Sequence, residues 1–336
     1  MLKLHRKSIV SAVVAAGCLV PAASALADGG PPPPVAANGN PVRMEGTGVP
    51  TPTAFAFGMK TVFVGSGPAE GGNAPTGLFT VGGGGPATKV PGTPEVVFGL
   101  AWHEHELYVS DGPEILAFAG WNGTSFSSSR VVSSPGGDFP GFNGIAFGRD
   151  GMLYAGVALD PAYDDNANPA KFANDVLRIS PTTGHATVFS TGLRQPFQMT
   201  FVDGNRHPYV TALSEDSTDI VPKDAIVVAR KGANFGFPTC EWGFVHSCDG
   251  FAKPLVTLHQ HTSPMGISAI GRQLYVSMFG GLNGTYSTFG VWSMPASGGK
   301  FAPFLTGFAA PTIGLGTHNG RVYVGDLTGT IYSVRA

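Results

Sequence analysis

One pattern recurs six times along this chain and limits what it can fold into. Each copy is an apolar stretch, a polar or glycine-containing turn, and an aromatic residue beside Val or Leu. The aromatic residues are Phe63, Tyr108, Tyr154, Tyr209, Tyr275 and Tyr323, at intervals of 45, 46, 55, 66 and 48 residues. Each copy reads as a β-hairpin, and β-rich repeats of ~40–50 residues are typical of propeller blades.

A further apolar strand follows each copy, so each repeat predicts one small sheet. We therefore predict an all-β fold, a six-bladed β-propeller with four-stranded antiparallel blades. The sequence ends in the third strand of its last repeat, and the segment around residues 42–44 is expected to add the outer strand and close the ring. A seven-bladed propeller and a β-sandwich with an appendage are the alternatives.

The composition agrees with short strands and excludes several classes of protein. The 336 residues include 49 Gly and 28 Pro, which disfavour long helices and suit tight turns. The net charge is −2 and no basic block occurs, which argues against a nucleic-acid partner.

The N-terminus reads as a secretory signal over residues 1–27. A basic start at Lys3, Arg6 and Lys7 precedes a mostly apolar run over residues 9–20, and Ala25 and Ala27 form an A-x-A cleavage site. This predicts a secreted or periplasmic protein with no membrane span after cleavage. A lipoprotein anchored through Cys18 is the alternative. Residues 28–50, rich in Pro and Gly, predict a linker, and residues 51–336 a single propeller domain.

Two cysteines remain after removal of the signal, Cys240 and Cys248. In an exported protein, two cysteines eight positions apart are expected to pair as a disulfide. Two free thiols, or a metal site with two thiolate ligands, are the alternatives.

Four stretches carry a family resemblance. They are TGLRQPFQMTF at 191–201, KGANFGFPTCEWG at 231–243, HTSPMGI at 261–267 and ASGGKFAPFLTGF at 296–308. In order and spacing they resemble the glucose/sorbosone dehydrogenase family, whose pattern is roughly G-L-R-N-P-F-G-h-A-F, then G-A-N-Y-G-W-P-x-C, then H-x-S/A-P-x-G-h, where h is an apolar residue. The resemblance covers residues 97–336 and implies a secreted six-bladed propeller.

The resemblance also implies an activity, namely oxidation of aldoses or related sugars with pyrroloquinoline quinone (PQQ) and Ca²⁺. It therefore implies a small-molecule sugar or glycan as the partner. The residues that would contact the cofactor are Arg194, Gln195 and His261. The oxygen ligands that would hold Ca²⁺ are Asp224, Glu215, Asp216 and Asp219. The alternatives are a structural arginine that ties loops together, a hydrogen-bonded structural histidine and a solvated acidic loop. His259 and His261 could also form a metal-binding pair.

The chain departs from the family pattern where the chemistry would occur. The family's catalytic His has no counterpart in residues 138–147, and only Asp224 remains of an acidic D-E-x-N run. Phe279 stands where the family has basic residues, and the sequence identifies no catalytic residue. Three hypotheses follow: a PQQ- and Ca²⁺-dependent sugar oxidoreductase with an altered active site, a non-catalytic propeller that binds a carbohydrate or an exported protein, and a metal-dependent lactonase.

Overall fold

In a computed structural model of the chain, the described residues are 32–68, 74–215, 221–243, 248–286 and 288–336. The signal peptide, Cys18, Asp216 and Asp219 lie outside these residues and stay predictions. Within them, the only helix is a single 3₁₀ turn at Pro161–Tyr163. No helix of the described part is long and apolar enough to cross a membrane.

The described strands form six sheets, one for each predicted blade. The N-terminal strands are β1 (Val35–Ala36) and β2 (Arg43–Gly46). The strands of blades 1 to 3 are β3 (Pro52–Gly58), β4 (Thr61–Ser66), β5 (Gly77–Val81), β6 (Thr88–Lys89), β7 (Gly99–His103), β8 (Glu106–Ser110), β9 (Ile115–Ala119), β10 (Ser128–Ser133), β11 (Phe142–Phe147), β12 (Leu153–Val157), β13 (Val176–Ile179) and β14 (Ala186–Thr191).

The remaining strands build blades 4 to 6, with one exception that joins blade 3. They are β15 (Gln195–Thr200), β16 (Tyr209–Leu213), β17 (Ala225–Val228), β18 (Ala233–Asn234, in blade 3), β19 (Val256–Thr257), β20 (Pro264–Ile270), β21 (Gln273–Met278), β22 (Gly290–Pro295), β23 (Ala302–Thr306), β24 (Thr312–His318), β25 (Arg321–Asp326) and β26 (Ile331–Arg335).

The six-bladed, all-β prediction is confirmed. The innermost strands β3, β7, β11, β15, β20 and β24 each contact the next one, and β24 contacts β3, so the sheets close into a ring. The six repeated aromatic residues all lie on the second strand of their blade, on β4, β8, β12, β16, β21 and β25. These strands are apolar without alternation, as at 107–109 and 322–324, because neighbouring blades cover both of their faces.

The predicted closing strand is present. β2 pairs with β26, with Met44 opposite Tyr332, and so adds the outer strand to blade 6. The structure differs from the prediction of a linker over residues 28–50, because β1 also pairs there with β23 of blade 5. The outer strand of a blade has unpaired backbone N–H and C=O groups along its edge. A segment that lies beside this edge can pair with them, which accounts for both contacts. Blades 3 and 5 have five strands, through β18 and β1.

Glycines let the innermost strands approach one another. Four of the six strands carry Gly at the same level of the channel, namely Gly99, Gly144, Gly266 and Gly314. A Cβ on Gly314 would lie 2.8 Å from the carbonyl oxygen of Pro52, and one on Gly266 would lie 2.6 Å from that of Ile313. The corresponding residues of blades 1 and 4 are Ala54 and Gln198.

We expect Gly314→Ala to destabilise the ring, because the added methyl group meets backbone atoms of blade 1 that cannot move alone. Overpacking of this kind costs about 1–3 kcal/mol of unfolding free energy, measured by chemical denaturation. The control is Gly82→Ala, since a Cβ at Gly82 meets nothing within 4 Å. Equal stability of the two variants would contradict the argument that the innermost strands are packed at their limit.

Candidate functional site

A long insertion of blade 4 shapes one end of the channel. We call this end the upper face, where the innermost strands begin, and the opposite end the lower face. The insertion lies between β17 and β19. Soon after β17 the chain forms β18, which runs parallel to β14 on the outer edge of blade 3. The insertion turns onto the upper face, where Phe235 and Phe237 donate backbone hydrogen bonds to Thr191 and Gly192 at 2.9 and 3.0 Å.

A disulfide between Cys240 and Cys248 closes this insertion, with a Cα–Cα distance of 5.1 Å. Cys240 is buried, and its backbone N–H donates to the carbonyl of Gly236 at 2.9 Å. The next residues, Glu241 and Trp242, lie over the loop that precedes β17, where Trp242 accepts a backbone hydrogen bond from Lys223 at 2.7 Å. The disulfide therefore holds Glu241 and Trp242 beside the end of β16.

Arg194 lies beneath the insertion, with only 7% of its surface exposed. Its Nε donates to the carbonyl of Asp164 at 3.0 Å, Nη1 donates to the carbonyl of Ser214 at 2.7 Å, and Nη2 pairs with the Asp164 carboxylate. The guanidinium thus ties the loop after β12 to the loop after β16, the structural alternative considered above. Gln195, the next residue, begins β15 and is half-buried.

Carboxyl groups surround Arg194. Burial, followed by the neighbouring Glu215 carboxylate, raises the pKa of Glu241 to about 7, while Arg194 opposes this shift. Glu215 is itself buried, and Asp164 and Asp165 add to the rise. A half-buried carboxyl that titrates near neutral pH beside a cation is a feature of functional sites. The sequence did not single out Glu241, although it follows Cys240 in the G-A-N-F-G-F-P-T-C stretch.

The pocket at this point is small. Its volume is about 50 Å³, and its polar walls are Arg194, Ser214, Lys223 and Glu241, with the Trp242 ring beside them. It has room for the end group of a ligand rather than for a whole sugar ring. Phe235, Phe237 and Leu213 form its apolar side.

Asp224 is buried, with 2% of its surface exposed, and among the described residues Ser214 and Ser263 donate three hydrogen bonds to its carboxylate. One oxygen accepts from the backbone N–H and hydroxyl of Ser214 at 2.8 and 2.9 Å, and the other accepts from the N–H of Ser263 at 2.7 Å. Asp224 therefore joins β16 and β17 to the loop that leads into β20. These hydrogen bonds give Asp224 a structural role at the position where the resemblance implies a Ca²⁺ ligand.

His261 lies in the loop before β20, in a left-handed backbone conformation (φ 61°), and is half-buried. His259 is exposed. Across the described residues, no group of three or more His, Cys, Asp or Glu side chains is placed to hold a metal ion. Asp216 and Asp219 lie outside those residues, so the predicted Ca²⁺ set stays a prediction.

Apolar side chains of blades 4, 5 and 6 pack together near the upper face. Phe197, Met265 and Ile313 come from three innermost strands and form one buried cluster, with Phe279 and Leu327 packed against it. Just below, the Gln198 side chain lies across the channel, where its Nε2 donates to the carbonyls of Phe98 at 2.7 Å and Thr53 at 3.3 Å. Gln198 therefore lies between the upper face and the lower part of the channel.

No protein-family model matches the chain, and no curated protein matches it. Solved structures do match. The PQQ-bound aldose sugar dehydrogenase of Streptomyces coelicolor is 18% identical, over 90% of this chain and 99% of that one, with a TM-score of 0.68. The calcium structure of a Trichoderma reesei enzyme of carbohydrate-active family AA12 is 16% identical, over 92% and 98%, with a TM-score of 0.72.

A gluconolactonase of Xanthomonas campestris is also similar, at 12% identity over 92% of this chain and 95% of that one, with a TM-score of 0.58. The structural neighbours thus include the sugar dehydrogenases that the sequence resemblance suggested, together with lactonase-like propellers. At these identities the likeness is one of fold.

We expect the stability of the protein to fall as the pH rises through neutrality, in part because of Glu241. A carboxyl whose pKa is raised by folding stabilises the native state below its unfolded pKa of about 4.5, and this contribution is lost as the pH rises through about 7. Glu241→Gln should therefore show a shallower decline of melting temperature between about pH 5 and 8. Asp175, whose pKa burial raises to about 6, keeps part of the decline.

The control for this series is Glu104→Gln, which changes an exposed carboxyl on the β7–β8 turn. It should retain the wild-type slope. A Glu241→Gln variant whose melting temperatures follow the wild-type curve at every pH would contradict the assignment.

Replacement of both cysteines, as in Cys240→Ser with Cys248→Ser, should lower the unfolding free energy by roughly 2–3 kcal/mol. The insertion would then be held on the upper face by its hydrogen bonds and by the packing of Phe235. Alkylation of the unfolded, unreduced protein followed by mass spectrometry should find neither cysteine modified. Alkylation of both residues would contradict the bond.

Proposed function

We propose that this chain is an exported propeller that binds a sugar or a sugar-derived ligand on its upper face, without a PQQ-dependent dehydrogenase reaction. The observation that carries the proposal is the meeting of Glu241, Arg194 and Trp242 at one pocket between blades 3 and 4. Carboxylate oxygens accept hydrogen bonds from hydroxyl groups, and an indole ring packs on the apolar face of a ring. A few polar groups on a mainly apolar wall are typical of small-molecule sites.

The residues present do not fit PQQ. That cofactor is a quinone with several carboxylates, so its site needs cations that are free to bind it and an open surface. The Arg194 guanidinium is already bound to Asp164 and Ser214. Further carboxyl groups surround it, and the start of β15 is occupied by the buried cluster of Phe197, Met265 and Ile313. We derive no reaction step through PQQ.

The chain's own groups suffice for binding. Below about pH 7 the Glu241 carboxyl is protonated and can donate a hydrogen bond to a ligand oxygen, and above this pH it accepts one. Arg194 is held rigid by its partners and fixes the position of Ser214 and of the pocket wall. Because the pocket is small, a terminal hydroxyl or hydroxymethyl group enters it while the rest of the ligand lies on the surface.

A general acid–base reaction on the bound ligand is a second candidate. The observation that favours it is the pKa of Glu241, which lies where a proton-transferring carboxyl works best at neutral pH. Hydrolysis of sugar lactones tests this candidate. It should be slowed 10²–10⁴-fold in Glu241→Gln, on the usual scale for loss of such a group. No lactone turnover by the wild-type protein would leave binding as the function.

Export is part of the proposal and rests on the signal-like N-terminus and on the disulfide, which is typical of oxidising compartments.

The test is a pair of titrations of the purified mature protein. With PQQ plus Ca²⁺, followed by cofactor absorbance, we expect no saturable binding. With a panel of mono- and oligosaccharides, followed by calorimetry, we expect at least one ligand whose affinity changes across neutral pH. Glu241→Gln should remove that pH dependence and weaken binding about tenfold, because one charge-assisted hydrogen bond is lost.

The matched control is Asp203→Asn, an exposed carboxyl that pairs with Arg149 away from the pocket. Its saccharide affinity should equal that of the wild type. Saturable PQQ binding that weakens in Arg194→Ala would overturn the proposal and favour the PQQ-dependent oxidoreductase.

A further inference from the structure

The lower part of the channel contains a larger cavity than the upper face does. Its volume is about 410 Å³, within the range of sites that bind small molecules. All six innermost strands contribute to its wall, at residues 54–57, 100–102, 145–147, 198–201, 267–268 and 315–318. It opens on the lower face and ends at Gln198, so it is separate from the pocket at Glu241.

Gln198 breaks the sixfold pattern of the ring. Most other blades have Gly at this level, and the family pattern quoted above has Gly here as well. The side chain is 8% exposed and crosses from blade 4 to carbonyls of blades 1 and 2. It lies against Gly144 of blade 3, where a Cβ would come within 2.3 Å of its Oε1.

The two bonds to carbonyls settle the orientation of the Gln198 amide, since only its NH₂ group can donate. Its Oε1 accepts no hydrogen bond from any described residue, and Gln198 is part of the cavity wall. Facing the open cavity, this oxygen is not among the buried unpartnered atoms of the described residues, so water solvates it and a ligand hydroxyl can replace that water.

Most other side chains of the wall are apolar, and none of its described residues is Asp, Glu, Lys or Arg. Its one ionisable side chain is the exposed His318, which stacks on Phe57. Hydroxyl groups of Thr200, Ser268 and Thr317 lie on the wall, and half-buried rings of Phe57, Trp102 and Phe147 flank it. The innermost strands also pair on one edge only, so backbone N–H and C=O groups of the other edge face the channel.

We propose that this cavity binds an uncharged, hydroxyl-rich molecule of about monosaccharide size, with Gln198 Oε1 as the acceptor at its inner end. An anion or a cation would lose its hydration at the inner end of the cavity, where the described wall has no charged side chain, since His318 lies at the open end. A purely apolar ligand would leave Gln198 and the free strand edges unpaired. An uncharged polyol satisfies both and places its C–H groups against the rings.

The test titrates the purified mature protein with neutral hexoses and alditols, read by tryptophan fluorescence and by ligand-observed NMR. Gluconate is the anionic comparison. Because Trp102 lies on the cavity wall, a neutral polyol should change its emission in a saturable way, and Trp102→Phe should remove that signal while NMR still detects binding. Gluconate should not bind at this site.

Gln198→Met keeps the side chain's length and removes the acceptor, and should weaken polyol binding about tenfold or more. The matched control is Gln273→Met on β21, which is not part of the cavity wall and should bind like the wild type. If Gln198→Met does not fold, the fluorescence and charge comparisons on wild type and Trp102→Phe decide the matter.

Three results would overturn the proposal. They are no saturable binding of any neutral polyol to the wild type, a fluorescence change in a Trp242→Phe background that persists when Trp102→Phe is added, and equal affinities of folded Gln198→Met and the wild type. Binding at Glu241 is read by its own variant and its own pH dependence. A negative result for one of the two sites therefore does not decide the other.

Discussion

Six backbones that converge on one axis can pack only where side chains are nearly absent. The innermost strands meet at a level that carries Gly99, Gly144, Gly266 and Gly314. Neighbouring strands are so close there that an added methyl group would overlap atoms of the next blade. Buried hydroxyls then connect neighbouring blades. Ser110 donates to the carbonyl of Asn143 at 2.6 Å, for example. The blades, their aromatic packing and the loops on both faces depend on this contact, because it fixes the radius of the channel.

Much of this architecture could be predicted from local patterns. The aromatic residue of each second strand, such as Phe63 or Tyr323, recurs because every blade must fill the same gap between its neighbours. The closing strand near Met44 followed from counting strands in the last repeat. The pairing of Val35 with blade 5 did not follow, since a two-residue strand has no pattern of its own and depends on an edge supplied by residues far away in sequence.

The candidate sites were harder to predict because their residues act through partners distant in sequence. Arg194 carries a family motif, yet the loop that contains Asp164 decides whether its guanidinium is available. Glu241 is unremarkable as a residue in the sequence, and its raised pKa arises only when the insertion folds back over blades 3 and 4. Gln198 stands where the other blades have Gly or Ala, and its role depends on backbone carbonyls of two other blades. Motifs thus identified the fold, while tertiary contacts determine the chemistry.

The pairing of β2 with β26 joins sequence positions almost 290 residues apart, with Met44 opposite Tyr332. Closing so long a loop costs little more entropy than closing a shorter one, since each doubling of loop length adds only about 0.6 kcal/mol. The pairing of β2 with β26 closes the ring within blade 6, and not between two blades. The first and last strands of the ring thus lie side by side in blade 6. Because the packing between blades does not depend on where the chain starts, circularly permuted chains that begin at another blade's outer strand can form the same ring.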